Sequence, residues 1–298
     1  MASFQMKATL EVIRAEMCVA ASVAALTGII IASKLEEGKL NVHSPLVLLF
    51  SMIIPFLIVA GSMALNDYID LEVDILNRRT DRPLVRGELN PAWVKWGAIS
   101  CLVIGVMLCL PAYPDKIEVF ILSAGFASLA VAYNYKLKDL GVIGNFATAL
   151  TFIAPHSLGA LTVGLTKSET RIIIGLMVLI VFLTAFGREI FKGIMDVEGD
   201  ALRNASTVAR VLGRKNAAII SSFFFMLFVI LTPLPLFVSF QNNLVYVIMI
   251  GITDILLLYT VVTILQDQSY EVAKRGRIVT RFAELTGVMA FLFGAIFI

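Results

Sequence analysis

The sequence predicts an all-α, multi-pass transmembrane bundle of about nine helices in a single domain. Three observations predict it. Hydrophobic residues make up 59% of the 298-residue chain and charged residues only 15%, where a soluble domain carries roughly a quarter charged. The mean hydropathy is +0.90. The apolar residues also fall in runs long enough to cross a bilayer core, which takes roughly 20 residues of helix. In hydrocarbon such a run must close its own backbone hydrogen bonds, which a helix does.

In chain order the runs lie at about 12–33, 45–66, 93–112, 117–135, 142–164, 171–190, 216–238, 243–265 and 281–298. The third and fourth separate at Pro111 to Pro114. The fifth contains Pro155 followed by His156, which reads as a hydrogen-bonded histidine at a proline kink. The eighth carries Asp254 well inside, either a functional acid or one half of a polar contact with another helix. In the ninth, Glu284 is placed to pair with Arg281 or Arg277, and His43 reads as a solvated loop residue. Lys7, Glu11, Arg14 and Glu16 precede or open the first run with no small-residue cleavage site, so no secretory signal is expected. Cys18, Cys101 and Cys109 lie in apolar stretches and read as packing thiols.

Sorting the basic residues by side orients the bundle. Lys34, Lys39, Lys116, Lys167 and Arg171 fall on one side. All the other Lys and Arg of the chain's 24 fall on the opposite side, in the N-terminus and around the loops joining helices 2–3, 4–5, 6–7 and 8–9. The richer side is expected in the cytoplasm. That puts the N-terminus inside, the C-terminus outside, and a cell-membrane protein with its chemistry facing the cytoplasm.

Two acidic motifs lie on that side. The first reads N-D-Y-I-D-L-E-V-D from Asn66 to Asp74, and the second R-E-I-F-K-G-I-M-D-V-E-G-D from Arg188 to Asp200. Asp70 corresponds to Asp196 and Asp74 to Asp200 at an offset of 126, and Asn77 to Asn204 and Thr80 to Thr207 at 127. This suggests pseudo-repeat halves of roughly 1–140 and 141–265 plus a ninth helix at 281–298. Asn66, Asp70 and Asp74 form an i, i+4, i+8 ladder on one helix face. Oxygen ligands of this kind suit Mg²⁺, which takes few carboxylates and completes its octahedron with phosphate oxygens and water. Two ladders could hold two ions with a diphosphate between them, with Lys192 one turn and Arg188 two turns before Asp196 and Arg78, Arg82 and Arg86 after the first ladder. Taken alone, Lys192 with Asp196 reads as an i, i+4 salt bridge.

The first motif, continued through N-R-R-T-D-R-P-L, resembles the first aspartate-rich motif of the UbiA family of intramembrane prenyltransferases, and D-V-E-G-D resembles the second. The helix count and the motif positions on helices 2 and 6 match too. The run R-E-I-x-K-x-I-x-D-V-E-G-D and the run Y-N-x-x-L-K from Tyr133 to Lys138 resemble the archaeal branch, whose members make digeranylgeranylglyceryl phosphate for ether lipids.

The resemblance implies that Asn66, Asp70 and Asp74 hold one Mg²⁺ and Asp196 and Asp200 another. It implies phosphate binding by Arg78, Arg82, Lys138 and Lys192, with Arg188 beside them. Tyr133 would stand near the reacting allylic carbon, where its ring face can stabilise a cation. Arg14 matches a basic residue of the family's first helix that would meet the acceptor's phosphate. Asp67 is an extra carboxylate supporting the ladder. The implied reaction is Mg²⁺-assisted ionisation of geranylgeranyl diphosphate and capture of the cation by the hydroxyl of geranylgeranylglyceryl phosphate. Prenylation of an aromatic quinone-precursor or chlorophyll-type acceptor is the nearer alternative. A cation-coupled transporter is the rival of another class, since intramembrane acids also serve ion pathways; these acids, however, sit at helix ends beside arginines. No nucleic-acid partner is expected, and no phosphate-cradling glycine loop occurs.

Overall fold

The computed structural model describes residues 2–39, 45–202 and 205–297; His43, Arg203 and Asn204 lie outside them. Among the described residues all regular structure is helical. The elements are α1 (Ala2–Val12), α2 (Ala15–Glu37), α3 (Pro45–Ile69), α4 (Leu71–Leu76), α5 (Pro91–Met107), α6 (Cys109–Ala112), α7 (Ile117–Tyr135), a 3₁₀ turn (Leu137–Asp139), α8 (Val142–Val163), α9 (Ser168–Leu202), α10 (Val208–Leu231), α11 (Leu234–Val238), α12 (Leu244–Gln266) and α13 (Tyr270–Ile296). Nine of the described segments are long and apolar enough to cross a membrane.

The spans agree with the sequence reading, but several ends differ. A separate helix, α1, precedes the first apolar run, and the chain breaks between the two at Ile13–Arg14, where Arg14 adopts a left-handed φ of 49°. Helix α9 runs on to Leu202 rather than stopping near 190, so the second acidic motif is helical. Helices α10 and α13 also begin earlier than hydropathy indicates. Arg210, Arg214, Lys215, Lys274, Arg275 and Arg277 therefore ride on helix ends instead of loops. Lys and Arg are good helix formers, and their long stems snorkel to the membrane surface, so the helix outlasts its apolar stretch. Gly213, at a φ of 84°, kinks α10 just past its first turns.

The chain falls into two compact units. One comprises 1–26, 42–135 and 154–162, the other 27–41, 136–153 and 163–298. In the first, α3 packs on α5 and α7 around Ile54, Ile58, Leu102 and Phe126. Small residues bring these backbones close, as membrane helices require where no hydrophobic force acts between them. A Cβ added to Gly61 would lie 2.7 Å from the Ala98 carbonyl oxygen, and one added to Gly159 only 1.9 Å from that of Ala25. Between α6 and α7, Tyr113 donates to the Val47 carbonyl and meets the Ser51 hydroxyl. Burial pushes its phenol up to about 12, so it stays a donor. Pro155 lies within an unbroken α8, and His156 is buried.

In the second unit α9 packs on α10 and α13, and α12 on α13 and α10. Edge-on rings join them: Phe186 with Phe224 at 4.8 Å and Phe240 with Tyr246 at 4.9 Å. Asp254 accepts the Thr232 hydroxyl at 3.1 and 3.3 Å, and the Tyr246 hydroxyl donates to the Thr232 carbonyl at 2.8 Å. Of the two readings of Asp254, the structure shows the interhelical contact. Cys18 and Cys109 are buried and Cys101 half-buried, all as free thiols.

Gly159→Ala is expected to destabilise the protein by about 1–3 kcal/mol, because the methyl meets backbone that cannot swing away. Gly125→Ala, where no atom lies within 4 Å, is the control and should be neutral or stabilising. Unfolding in detergent micelles, compared between the two variants, checks this.

Candidate active site

The first acidic motif sits where α3 gives way to α4. Helix α3 ends at Ile69, and Asp70 takes φ −83° and ψ −1° before α4 begins. The helical path survives this bend: the Asp70 amide donates to the Asn66 carbonyl at 3.0 Å and the Asp74 amide to the Asp70 carbonyl at 2.8 Å. The i, i+4, i+8 ladder is therefore preserved along a bent segment. Asn66 donates its side-chain amide to Asp70 at 3.1 Å, and Asp74 is buried.

Asp67 has a larger part than an accessory acid. Its side chain is 2% exposed, and Arg14 and Arg82 both reach its Oδ1 at 3.0 Å. Arg14 also donates to Asn66 Oδ1 at 3.3 Å, and Arg82 Nε lies 3.9 Å from an Asp74 oxygen. One carboxylate thus gathers two guanidinium groups from distant parts of the chain beside the ladder. Asp74 and Asp81 also approach Arg82, at 3.9 and 3.7 Å, so the two guanidinium groups stand among acids that fix their positions. Asp67 is a clamp for the arginines. Arg14 reaches this position only because the chain breaks into the left-handed region, a conformation that costs a non-glycine residue about 1 kcal/mol or more.

The loop after α4 sorts its other charges. Arg79 grips Asp81 through two 2.9 Å bonds, which hold the Asp81 carboxyl down to about 2. Arg86 is bound by Glu88 and Glu11, tying α1 to this loop. Arg78 is exposed, at a left-handed φ of 52°, and forms no ion pair among the described residues.

In the second unit, Asp196 is exposed on α9 and Asp200 half-buried. The Thr207 hydroxyl donates to Asp200 at 2.9 Å, while the Ala205 amide closes the turn on the Asp200 carbonyl. The 3₁₀ turn carrying Lys138 is tied to the same loop, since the Ser206 amide donates to the Asp139 carbonyl at 3.2 Å. Gly141, at a φ of 56°, lets this happen: a Cβ there would lie 1.9 Å from the Ser206 oxygen.

Two expected pairings are corrected. Lys192 does not bridge to Asp196; its ammonium contacts both Glu189 oxygens at 2.9 Å. Glu284 pairs with Arg188 at 2.8 Å rather than with Arg277 or Arg281. The Glu189–Lys192 spacing, i to i+3, was the available signal. In the first unit Tyr133 is half-buried on α7, next to Asn134, whose side chain donates to the Ser62 carbonyl of α3 at 2.9 Å.

The donor chemistry fits magnesium. Asn66, Asp70, Asp74, Asp196 and Asp200 offer only hard oxygen atoms. Among the described residues no three His, Cys, Asp or Glu side chains close into a metal cage. Mg²⁺ does not require one, because it binds through one or two carboxylates and takes its remaining oxygens from phosphate and water.

Residues 21–285 match the model of the UbiA prenyltransferase family. A digeranylgeranylglyceryl phosphate synthase of Archaeoglobus fulgidus is 38% identical over 79% of this chain and 79% of its own. One of Thermococcus kodakarensis is 31% identical over 98% of this chain and 99% of its own. Among solved structures, one described as giving structural and mechanistic insights into digeranylgeranylglyceryl phosphate synthase in membranes has a TM-score of 0.79 at 27% identity, covering 99% of both chains. A UbiA homologue from Archaeoglobus fulgidus, solved with DMAPP and Mg²⁺, has a TM-score of 0.65 at 17% identity, over 95% of this chain and 98% of its own.

Asp67→Ala, which leaves two largely buried guanidinium groups facing each other, should cost about 3 kcal/mol of unfolding free energy. A double-mutant cycle with Arg82→Ala should show a coupling of at least about 0.5 kcal/mol. Strict additivity in that cycle would mean that Asp67 does not clamp Arg82.

Proposed function

The chain belongs to the UbiA prenyltransferase family, and from that premise we propose that it transfers a geranylgeranyl group from its diphosphate to the hydroxyl of geranylgeranylglyceryl phosphate. It is a prenyl-transferring transferase of the membrane. The observation that carries the acceptor is the match to relatives named as digeranylgeranylglyceryl phosphate synthases, at 38% identity over 79% of the chain and 31% over 98%. The clustered Arg14 and Arg82 add support, because an anionic glycerol phosphate calls for cations apart from those of the leaving group.

Asn66, Asp70 and Asp74 would hold one Mg²⁺, and Asp196 and Asp200 would hold a second. Bound metal supplies Lewis-acid stabilisation of the charge that develops as diphosphate leaves. Arg78, Lys138 and Lys192 bind diphosphate oxygens and share that role. Arg14 takes the acceptor phosphate, and Arg82, held by Asp67, binds phosphate. Tyr133 turns its ring toward the allylic carbon and stabilises the cation. The apolar spans shelter both prenyl tails and keep water from the cation. The charge distribution supports a cytoplasmic opening in the cell membrane, with Arg78, Arg82, Lys138, Arg210 and Arg214 on that side.

Purified protein in Mg²⁺, given geranylgeranyl diphosphate with either geranylgeranylglyceryl phosphate or an aromatic acid, should form ether product with the first acceptor. Prenylation of the aromatic acid alone would overturn the acceptor assignment. Asp70→Ala and Asp196→Ala should each lower kcat/KM by at least about 100-fold, and a chelator should abolish turnover until Mg²⁺ is restored. Full activity in both variants would dismiss the two-motif mechanism.

A further inference from the structure

The reaction proposed above leaves one atom without a destination: the proton of the acceptor hydroxyl. We propose that Glu189 receives it and is a catalytic residue of this protein. The inference rests on the acceptor being an alcohol.

The argument begins with helix geometry. On α9, Glu189 lies seven residues before Asp196 and eleven before Asp200. At 100° per residue it falls about 20° from each of them in projection, between the two. It therefore shares their stripe, roughly 10 Å along the helix from Asp196, toward the interior of the span. That is the depth a nucleophile must reach if the diphosphate is bound at the helix end and the tail runs inward. Glu189 is the residue of the motif run that places a carboxylate there.

Its surroundings point the same way. The side chain is 10% exposed, and a carboxylate inside a spanning helix is costly enough to be read first as functional. Other nearby acids are committed elsewhere. Glu284 is pinned by buried Arg188, and Asp200 accepts from Thr207. Arg188, Glu189, Lys192 and Glu284 form two ion pairs close enough to feel one another, so the group is neutral as a whole.

Lys192 gives the pair a working cycle. Its ammonium caps both Glu189 oxygens at 2.9 Å, but it sits on a flexible four-carbon stem with three donors. When diphosphate attracts Lys192, both Glu189 oxygens are left without the ammonium that capped them and are free to accept a hydrogen bond from the acceptor hydroxyl. The allylic carbon–oxygen bond then breaks, and its electron pair leaves with diphosphate. The glycerol oxygen uses a lone pair to form the ether bond, and its proton passes to Glu189. Release of the product returns that proton to water and Lys192 to Glu189.

The test is Glu189→Gln, with ether formation, diphosphate release and donor affinity measured in the same preparation. Ether formation should fall by at least about 100-fold, the ordinary contribution of a general base. Affinity for a non-hydrolysable geranylgeranyl diphosphate analogue should stay within about threefold. Diphosphate release should then exceed ether formed, with the prenyl alcohol appearing as the cation is captured by water. Turnover within threefold of the wild type would overturn the proposal. So would a fall in turnover matched by an equal fall in donor affinity, which would make Glu189 only a partner for Lys192. If the glutamine variant does not fold, Glu189→Asp keeps the charge but withdraws the oxygens by one methylene; a tenfold loss of ether formation at unchanged donor affinity is expected, and full activity refutes the role. A wild-type protein inactive on geranylgeranylglyceryl phosphate would instead defeat the function proposed above.

Discussion

Charge at the edge of hydrocarbon is the constraint on which the rest of the structure depends. A carboxylate or guanidinium taken from water into a span loses several kcal/mol of hydration that only a well-placed partner offsets. The chain meets this cost with paired groups at the end of α3 and along α9. Asp67 binds Arg14 and Arg82, Glu189 binds Lys192, and Glu284 binds Arg188. Such pairs are poor sources of stability, since apolar side chains of equal volume do as well or better. Their value lies in fixing where charge stands before any ligand arrives.

That preorganisation governs the chemistry. A diphosphate is stabilised as it leaves only by cations already aimed at it, because reorienting them during the reaction would raise the barrier. Arg82 illustrates this. Its head is fixed by Asp67 on one side and approached by Asp74 on the other, so acids of the first motif order the loop bearing it. The glycine contacts serve the same end by another route. Close backbones at Gly61 and Gly159 hold the first unit's helices in register, and Gly141 brings the Lys138 turn to the loop beyond Asp200.

The fold was largely legible in the sequence because burying twenty residues in lipid demands an apolar run, and such runs are visible without a structure. Helix ends were not, since Arg210 or Lys274 continues a helix as readily as it ends an apolar stretch. In the site, the ladder spacing from Asn66 to Asp74 held even though α3 bends at Asp70, because the i to i+4 backbone bonds persist. What sequence could not supply was partner choice across elements. Nothing in the spacing says that Asp67 gathers arginines 53 and 15 residues away, or that Glu284 seeks Arg188 rather than a neighbour on its own helix. Those pairings follow from packing, which is a property of the folded chain.

The break at Arg14 has a further consequence for the N-terminal helix. Were α1 and α2 one continuous rod, every residue added to or lost from the first helix would turn its faces by about 100° relative to the first span. The left-handed residue at 14 severs this geometric phase. Helix α1 takes its own direction, set by the buried Ala8 and Val12 and by the Glu11–Arg86 pair, independently of the guanidinium that Asp67 holds. Arginine at a position where glycine would sit with less strain thus marks a point where the chain keeps a charge and a change of direction in the same residue.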